Sequence, residues 1–329
     1  MNMYSFDKVL GNDHIKDNLR SVLSSGRVSH AFIFSGQVGT GKKLIAYTFA
    51  KALACSKINS PCGQCISCQT FESGNNPDII SVRPAGKSIG VDEVREQIAL
   101  KMRSKPYSGK YKIFVIENAD KLTVAAQNAL LKTIEEPEDY GIFLLVCKNY
   151  NLFLPTIISR AIVLNVHPLP SDIILSYLIK NNIASEEEGE IFASYSEGSI
   201  GKAAALAADE EFKDLRTNFL KILETVENGN AADAIKAAEE MANYKERVKD
   251  GLDVMELKYR DALVYKSTER ADLLAESFLV KSAKGLAKDK TLMQLTKRLE
   301  AVIQAKRELL QNANARLVLE VMLLEIKAC

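Results

Sequence analysis

The sequence predicts an α/β domain, with a parallel sheet and flanking helices, followed by helical domains. Short apolar runs alternate with amphipathic stretches between residues 31 and 166, which is typical of parallel strands joined by helices. A glycine-rich turn follows the first apolar run and opens an amphipathic stretch. After residue 171 the chain carries helical patterns without a strand signal.

The apolar runs define five candidate strands. Each run is short, and amphipathic stretches separate most of them from the next. The predicted strands are Ala31–Phe34, Ile79–Val82, Lys112–Ile116, Ile142–Val146 and Ala161–Asn165.

Two helices can be positioned between these strands. Residues 43–54 carry regularly spaced apolar side chains. A second helix is predicted over residues 123–135, because Thr123 is a good N-cap and the pattern stops before Pro137. We expect both helices to pack on the sheet.

The segment 167–170, with the sequence His-Pro-Leu-Pro, interrupts the alternation and predicts a domain boundary. We therefore expect three domains, at residues 1–166, 167–208 and 209–329. The last two are expected to be helical.

The final helix is predicted to carry an apolar stripe, with residues mostly three or four positions apart. An ordinary helical core is the preferred interpretation, and a dedicated partner surface is the alternative. The stripe consists of Leu292, Leu295, Leu299, Val302, Leu309, Leu317, Val321 and Leu324.

Composition excludes several classes of protein. The chain has 329 residues, 47% hydrophobic and 26% charged, which is enough for two or three domains with real cores. Its 43 basic and 42 acidic residues give a net charge of +1, so any contact with DNA is expected to be local or shared with partners. The N-terminus lacks a signal-peptide pattern, and the apolar runs are too short to span a bilayer. We expect a cytoplasmic protein.

The glycine-rich turn at residues 36–42 matches the phosphate-loop pattern G-x-x-x-x-G-K, in the strand-to-helix context which that pattern requires. Glycines let backbone N–H groups curl around phosphates, and the helix N-terminus adds partial positive charge. A glycine-rich turn without function is the weaker alternative. The expected phosphate-binding residues are Gly36, Gly39, Thr40, Gly41 and Lys42.

Two departures from the pattern argue against efficient hydrolysis. Lys43 stands where a Ser or Thr hydroxyl would hold Mg²⁺, and an ammonium cannot ligate a metal ion. After the third strand comes Glu117-Asn118, instead of an Asp for the metal and a Glu for the attacking water. Glu117 can still reach a metal through its longer arm, whereas Asn118 cannot accept a proton. A polar cap on the strand end is an equal alternative for both residues.

Four of the six cysteines lie in one segment, with the spacing C-x6-C-x2-C-x2-C. In a reducing compartment such clustering favours metal over disulfides. Four thiolates make a closed tetrahedral zinc site without an open position for water, so the expected role is structural. Redox-active thiols are the main alternative. The predicted zinc ligands are Cys55, Cys62, Cys65 and Cys68.

With a zinc segment directly after a phosphate-loop helix, the sequence resembles the bacterial DNA polymerase III clamp-loader family of AAA+ proteins. Further similar stretches lie at residues 90–95, 128–137 and 154–160. The resemblance implies an AAA+ fold, with residues 167–208 as a helical lid and residues 209–329 as a collar for oligomerisation.

The same resemblance implies a role for Arg160. In this family a Ser-Arg-Cys motif directs an arginine finger at ATP bound to a neighbouring subunit, and here Ser159 and Arg160 are kept while Ala161 replaces the cysteine. A guanidinium is always charged and can bind two phosphate oxygens at once. From the residues alone, Arg160 is better explained as a surface salt-bridge partner.

Other positions resemble those of a subunit that has lost its hydrolytic machinery. Gly201 stands where the ATPase subunits carry a sensor arginine, and Cys147-Lys148 replaces a threonine-rich sensor segment. The resemblance thus implies an accessory subunit without catalysis of its own, and it argues against binding of ATP with Mg²⁺ by this chain. The implied partners are ATPase subunits of the gamma/tau type, a delta-like subunit and, through the complex, the sliding clamp and primer–template DNA.

Three other functions are alternatives to this interpretation. A motor subunit of the same complex would need the magnesium ligands that Lys43 and Asn118 replace. A zinc-dependent nucleic-acid-binding protein would need basic and aromatic residues in the zinc segment, which offers Lys57 and Phe71 alone. A small-molecule kinase would need a catalytic Mg²⁺ site and an acceptor pocket, and neither is evident.

Overall fold

The computed structural model describes residues 4–57, 60–84, 86–274 and 280–329. The chain divides into two compact units, Met1–Ile173 and Ile174–Cys329. The first unit contains the sheet and the second is helical. Among the described helices, none is long and apolar enough to cross a membrane. The three predicted domains, with boundaries at residues 167 and 209, stay predictions.

Five strands form one parallel sheet. They are β1 (Ala31–Ser35), β2 (Ile79–Val82), β3 (Lys112–Ile116), β4 (Gly141–Cys147) and β5 (Ile162–Asn165). Their order in the sheet is β2-β3-β4-β1-β5. Phe32 of β1 lies opposite Leu144 of β4 on one side and Ile162 of β5 on the other. The predicted α/β fold is confirmed, although β4 is one residue longer at each end than expected.

In the described residues, seven helices lie entirely within the first unit. Predicted helix 123–135 is confirmed: Thr123 is its N-cap and accepts a hydrogen bond from the N–H of Ala126. A π-helical turn, Arg95–Ala99, lies between the fourth and fifth helices, and 3₁₀ turns lie at Phe6–Lys8, Ala119–Lys121 and Tyr150–Leu152. The helices are α1 (Asp13–Ser25), α2 (Lys42–Ala54), α3 (Ile66–Glu72), α4 (Val91–Val94), α5 (Leu100–Met102), α6 (Val124–Glu135) and α7 (Pro155–Ile158).

Apolar side chains cover both faces of the sheet. Phe32 and Phe34 lie in one buried cluster with Phe49 of α2, whereas Ile33 lies in a second cluster with Leu130 of α6. Successive side chains of a strand point to opposite faces, so every residue of β1 is buried. This is why the strands read as continuous apolar runs instead of alternating patterns.

The remaining described helices form the second unit, except that the first three residues of α8, Ser171–Ile173, belong to the first. Two 3₁₀ turns, Lys245–Arg247 and Ala271–Leu273, interrupt them. The helices are α8 (Ser171–Lys180), α9 (Glu186–Tyr195), α10 (Ile200–Ala207), α11 (Glu210–Asn228), α12 (Ala231–Ala242), α13 (Val248–Thr268), α14 (Val280–Asp289), α15 (Leu292–Leu310) and α16 (Ala315–Ala328).

The prediction of a single final helix is wrong. The stripe is divided between α15 and α16, because Asn312 adopts a left-handed conformation (φ 61°) and Asn314 caps α16. Leu295 and Val302 are buried, but Leu317, Val321 and Leu324 are 59%, 56% and 37% exposed. The core face of α16 is instead formed by Val318, Leu319, Met322, Leu323 and Ile326.

Glu227, a partly buried residue, connects four helices of the second unit. Glu227 of α11 accepts hydrogen bonds from Tyr259 of α13 (2.9 Å) and Arg298 of α15 (3.2 Å). Lys327 of α16 donates to the backbone carbonyl of the same residue. Arg298 is 2% exposed, so removing Glu227 alone would leave a buried charge without its counter-ion.

Helices α11 and α13 approach closely at Gly251. A Cβ atom at this position would lie 2.0 Å from a ring carbon of Phe219. We expect Gly251→Ala to lower the free energy of unfolding by about 1–3 kcal/mol, because the added methyl overpacks the contact. Denaturant unfolding measures the effect.

Gly285 provides the matched control within α14. An added Cβ there meets no atom within 4 Å. Gly285→Ala should therefore stabilise the protein by up to about 1 kcal/mol through helix propensity. Equal effects of the two substitutions would contradict the close packing at Gly251.

Candidate phosphate loop and metal centre

The glycine-rich loop joins the carboxyl end of β1 to the N-terminus of α2. Gly39 and Gly41 both have φ 84°, a conformation that residues with a Cβ rarely adopt. At Gly36 a Cβ would lie 2.2 Å from the backbone oxygen of Val166, so only glycine fits. The Thr40 hydroxyl donates to the carbonyl of Gln37 (2.9 Å) and closes the turn.

Lys42 is a buried cation at the first position of α2. Its side chain folds back over the loop and donates to the carbonyl of Gln37. The residue is 8% exposed, and burial lowers the pKa of its ammonium. Among the residues that the structure describes, no carboxylate lies within ion-pair distance of Lys42.

Lys43 makes an ion pair with Glu117, which follows β3. The Lys43 Nζ lies 2.8 Å from Glu117 Oε2. The other oxygen, Oε1, accepts hydrogen bonds from Tyr47 Oη (2.6 Å), Arg83 Nε (2.8 Å) and Ser81 Oγ (3.2 Å). Both oxygens of Glu117 are therefore engaged by groups of the chain itself.

This network shifts the protonation of its members. Burial raises the pKa of Glu117, but hydrogen bonds from Lys43, Tyr47 and Arg83 outweigh burial and leave that pKa below its ordinary value. Burial, together with the hydrogen bond to Glu117, raises the pKa of Tyr47 to about 12. Glu117 thus remains a carboxylate and Tyr47 a neutral donor near neutral pH.

The residues present do not fit a magnesium ion at this loop. Mg²⁺ needs oxygen ligands in octahedral geometry, and the position after Lys42 offers an ammonium instead of a hydroxyl. Glu117, the carboxylate that follows β3, is already paired with Lys43 and Arg83. Asn118 is exposed and left-handed (φ 50°), and its amide cannot act as a base.

Arg160 lies on the surface between α7 and β5. Its Nη2 is 3.0 Å from Glu135 Oε1, at the end of α6, and its Nη1 donates to the carbonyl of Thr156 (3.0 Å) and to Ser159 Oγ (3.4 Å). The side chain is 42% exposed and Glu135 is 39% exposed. The guanidinium is thus oriented by its neighbours and still open to solvent.

Gln127 of α6 is a site residue that the sequence did not reveal. It is 3% exposed, and its amide donates to the carbonyls of Leu122 (3.3 Å) and Leu152 (3.2 Å) and accepts from the N–H of Leu154 (2.8 Å). It therefore ties α6 to the segment that leads into α7 and Arg160. A glutamine on the apolar face of a helix was the available signal.

The four cysteines converge on one point. Their sulfur atoms all lie within 4.8 Å of one another. The Sγ–Sγ distances are 4.0 Å from Cys62 to Cys68 and 3.9 Å from Cys65 to Cys55. Zn–S bonds of about 2.3 Å in a tetrahedron separate sulfurs by about 3.8 Å, so the cluster is compatible with structural zinc. A disulfide would need about 2.05 Å.

Backbone N–H groups point at these sulfurs. Cys55 Sγ accepts from the N–H of Lys57 and Cys62, and Cys62 Sγ accepts from the N–H of Gln64 and Cys65, all at 3.4–3.5 Å. Such donors stabilise thiolates, which are the form that binds metal.

The pKa values of the thiols differ because their surroundings differ. Burial raises the pKa of Cys65, but N–H donors from Ser56 and Cys68 outweigh burial and bring it to about 6. Burial keeps the pKa of Cys68 and Cys55 above the ordinary value. If all four were thiolates, a cation would offset their mutual repulsion.

The cysteine cluster is fixed to the sheet domain through α2 and α3. Cys55 is the C-cap of α2, and Cys68 lies on α3 and is fully buried. Lys51 of α2 pairs with Glu72 of α3 at 2.5 Å, and the Asn76 side chain donates to Ser67 (3.0 Å). One helix therefore carries the phosphate loop at its N-terminus and the cysteine cluster at its C-terminus.

The fold and the loop together define a class of protein. A parallel sheet with a phosphate loop between β1 and α2, followed by helices, is the AAA+ type of P-loop fold. Family models described as DNA polymerase III, delta subunit, and DNA polymerase III, delta subunit, C terminal, match residues 11–170 and 210–328. The chain belongs to the family of DNA polymerase III delta-prime subunits.

Individual proteins are similar to this chain to different degrees. The DNA polymerase III subunit delta' of Bacillus subtilis is 30% identical over 314 residues, which is 94% of each chain. The subunit tau of the same organism is 29% identical over 332 residues, but this chain spans only 57% of its length. A gamma-subunit-related protein of Thermotoga maritima has a TM-score of 0.46 and 17% identity, covering 95% of this chain and 98% of that one.

We expect Cys68→Ser to reduce bound zinc from one ion per chain to substoichiometric levels and to lower the melting temperature. The substitution removes one of four ligands from a closed site. Metal analysis by mass spectrometry and thermal unfolding provide the two measurements.

Cys329→Ser is the control, since Cys329 lies outside the cluster. It should retain both the zinc and the melting temperature. Full zinc occupancy in Cys68→Ser, or wild-type protein that contains disulfides in place of zinc, would contradict the prediction and favour redox-active thiols.

Proposed function

We propose that this chain is a delta-prime-like subunit of a bacterial clamp loader, which helps to load the sliding clamp onto primer–template DNA in the cytoplasm. Family membership carries the proposal, because the likeness to a delta-prime subunit extends over 94% of the chain. The partners are ATPase subunits of the gamma/tau type and a delta-like subunit. The clamp and DNA are engaged through the complex.

The role of this subunit is mainly structural. Hydrolysis needs a metal ligand after Lys42 and a base beside the attacking water. Lys43 and Asn118 occupy those positions, and Glu117 is engaged by Lys43. These contacts argue against the motor subunit as the alternative. ATP turnover by the purified chain with Mg²⁺, abolished by Lys42→Ala, would favour that alternative.

Arg160 is the proposed arginine finger for a neighbouring ATP site. Its guanidinium is partly exposed and its one carboxylate partner among the described residues, Glu135, is also partly exposed. Exposed ion pairs contribute about 0–1 kcal/mol, so a phosphate can replace Glu135 at little cost. Ser159 orients the same guanidinium through its hydroxyl.

A structural zinc ion held by Cys55, Cys62, Cys65 and Cys68 is part of this proposal. Zinc would neutralise the thiolates and fix the loop between α2 and α3. The four cysteine sulfurs would fill all four positions of a tetrahedral zinc ion and leave none for a water molecule or a substrate.

The C-terminal helices are the proposed collar. Leu317, Val321 and Leu324 of α16 recur at intervals of four and three residues, and all three are exposed in the isolated chain. An exposed apolar stripe on a helix is typical of a subunit contact. We assign this stripe to packing against the other subunits of the collar.

Replacing Arg160 by Ala should slow hydrolysis at the neighbouring site by about 10³-fold or more, the effect of an arginine finger. The DNA-stimulated ATPase rate of the reconstituted complex should then fall by the fraction of the total rate that this one ATP site contributes. An unchanged rate would show that Arg160 is not the finger.

Two further variants separate catalysis from folding. Arg20→Ala is the matched control, because Arg20 has similar exposure (47%) and pairs with Asp7; it should leave the rate unchanged. Glu135→Gln removes the partner of Arg160 and should retain ATPase activity. If Glu135→Gln lost as much activity as Arg160→Ala, the pair would be structural.

A further inference from the structure

We propose that Lys43 takes the place of magnesium at the phosphate loop, so that this chain binds a nucleoside diphosphate without a divalent cation. The proposal concerns equilibrium binding by this chain alone. It does not depend on Arg160 or on assembly with other subunits.

The first argument is the state of Lys42. This residue is more than nine-tenths buried, and within the described part of the chain it has a backbone carbonyl and no carboxylate as its partner. A buried ammonium without a counter-ion in direct contact is costly: burial lowers the pKa of Lys42, and the more distant carboxylate of Asp120 offsets this only in part. An anion seated on the loop would supply the missing negative charge.

The loop itself provides the geometry for such an anion. Gly39 and Gly41 adopt left-handed conformations directly before α2, which has 13 residues. Successive N–H groups in such a turn form a concave binding site for phosphate, and the helix N-terminus adds partial positive charge. Lys42 folds over this turn from the first position of α2.

The second argument is the ion pair of Lys43. In a magnesium-dependent loop, the metal bridges the phosphates and the acidic side chain after the third strand. Here the Lys43 ammonium lies 2.8 Å from that acidic side chain, Glu117. The aromatic ring of Tyr47 lies 5.9 Å from the same ammonium and favours its position. A magnesium ion would have to break this pair and then lie beside two lysines.

The charges of the two arrangements are equal. A magnesium-dependent loop has one lysine, one Mg²⁺ and one carboxylate, which sum to +2. Here three cations, Lys42, Lys43 and Arg83, accompany one carboxylate, Glu117, and they also sum to +2. Asp120 and Lys148, which also act on Lys42, carry opposite charges and leave this sum unchanged. The chain therefore supplies internally the charge that a diphosphate would otherwise obtain from the metal.

Titration of the full-length chain with a fluorescent ADP analogue tests the proposal, with and without Mg²⁺. No chelator is added, because a chelator would also remove zinc from the cysteine cluster. We expect the wild-type Kd to change by less than about twofold between the two conditions, since the metal adds no contact.

Substitutions of Lys43 test whether this residue takes the place of the magnesium ion. Lys43→Thr restores a hydroxyl and frees Glu117, so Mg²⁺ should now tighten binding by about tenfold or more. Lys43→Arg keeps the cation and should remain independent of metal. Lys42→Ala should abolish binding in both conditions. Zinc content and melting temperature of each variant report on its folding.

Three results would overturn the proposal. They are tighter binding by the wild type with Mg²⁺ by about tenfold, independence of metal in folded Lys43→Thr, and absence of ADP binding by the wild type in both conditions. The wild-type comparison decides the matter even if Lys43→Thr does not fold. None of these results bears on the ATPase test of Arg160, so failure of this proposal and failure of the clamp-loader role are distinguishable.

Discussion

Parallel pairing of the strands is the constraint on which the rest of the first unit depends. It brings the carboxyl ends of β1, β3 and β4 to one edge of the sheet, as in other open α/β sheets. The phosphate loop leaves β1 at this edge, and Glu117 follows β3 there. Because the register is fixed by backbone hydrogen bonds and by burial of both faces, Lys43 of α2 can reach Glu117 only in this arrangement.

The ionisable groups of the site are of two kinds, according to whether residues of opposite charge in the chain itself pair with them. Glu117 is satisfied within the chain, because Lys43 and Arg83 pair with it and Tyr47 donates to it. Lys42 instead has a backbone carbonyl as its partner, and the sulfurs of Cys55 and Cys62 have backbone N–H donors. The first group closes a position where a metal would otherwise bind, and the second is compatible with an anion at the loop and a structural metal ion at the cysteines.

Helix α2 joins the phosphate loop to the cysteine cluster. Its N-terminus bears the phosphate loop, its C-cap is the cluster residue Cys55, and Lys51 in its last turn is fully buried and paired with Glu72 of α3. A structural zinc ion would therefore stabilise the end of the same helix whose start holds the loop. The residues that we propose to contact other subunits, Arg160 and the stripe on α16, lie instead at the surface.

The sequence by itself determined the five strands, helices α2 and α6, the phosphate loop and the cysteine cluster, since each depends on residues close together in the chain. It did not predict the break between α15 and α16, because apolar spacing continues across Asn312 and Asn314 and hides their turn and capping roles. Tertiary structure alone decided that Lys43 pairs with Glu117, that Gln127 links three segments, and that half of the final stripe faces solvent. These outcomes depend on strand register and helix rotation, which are set by packing between residues far apart in sequence.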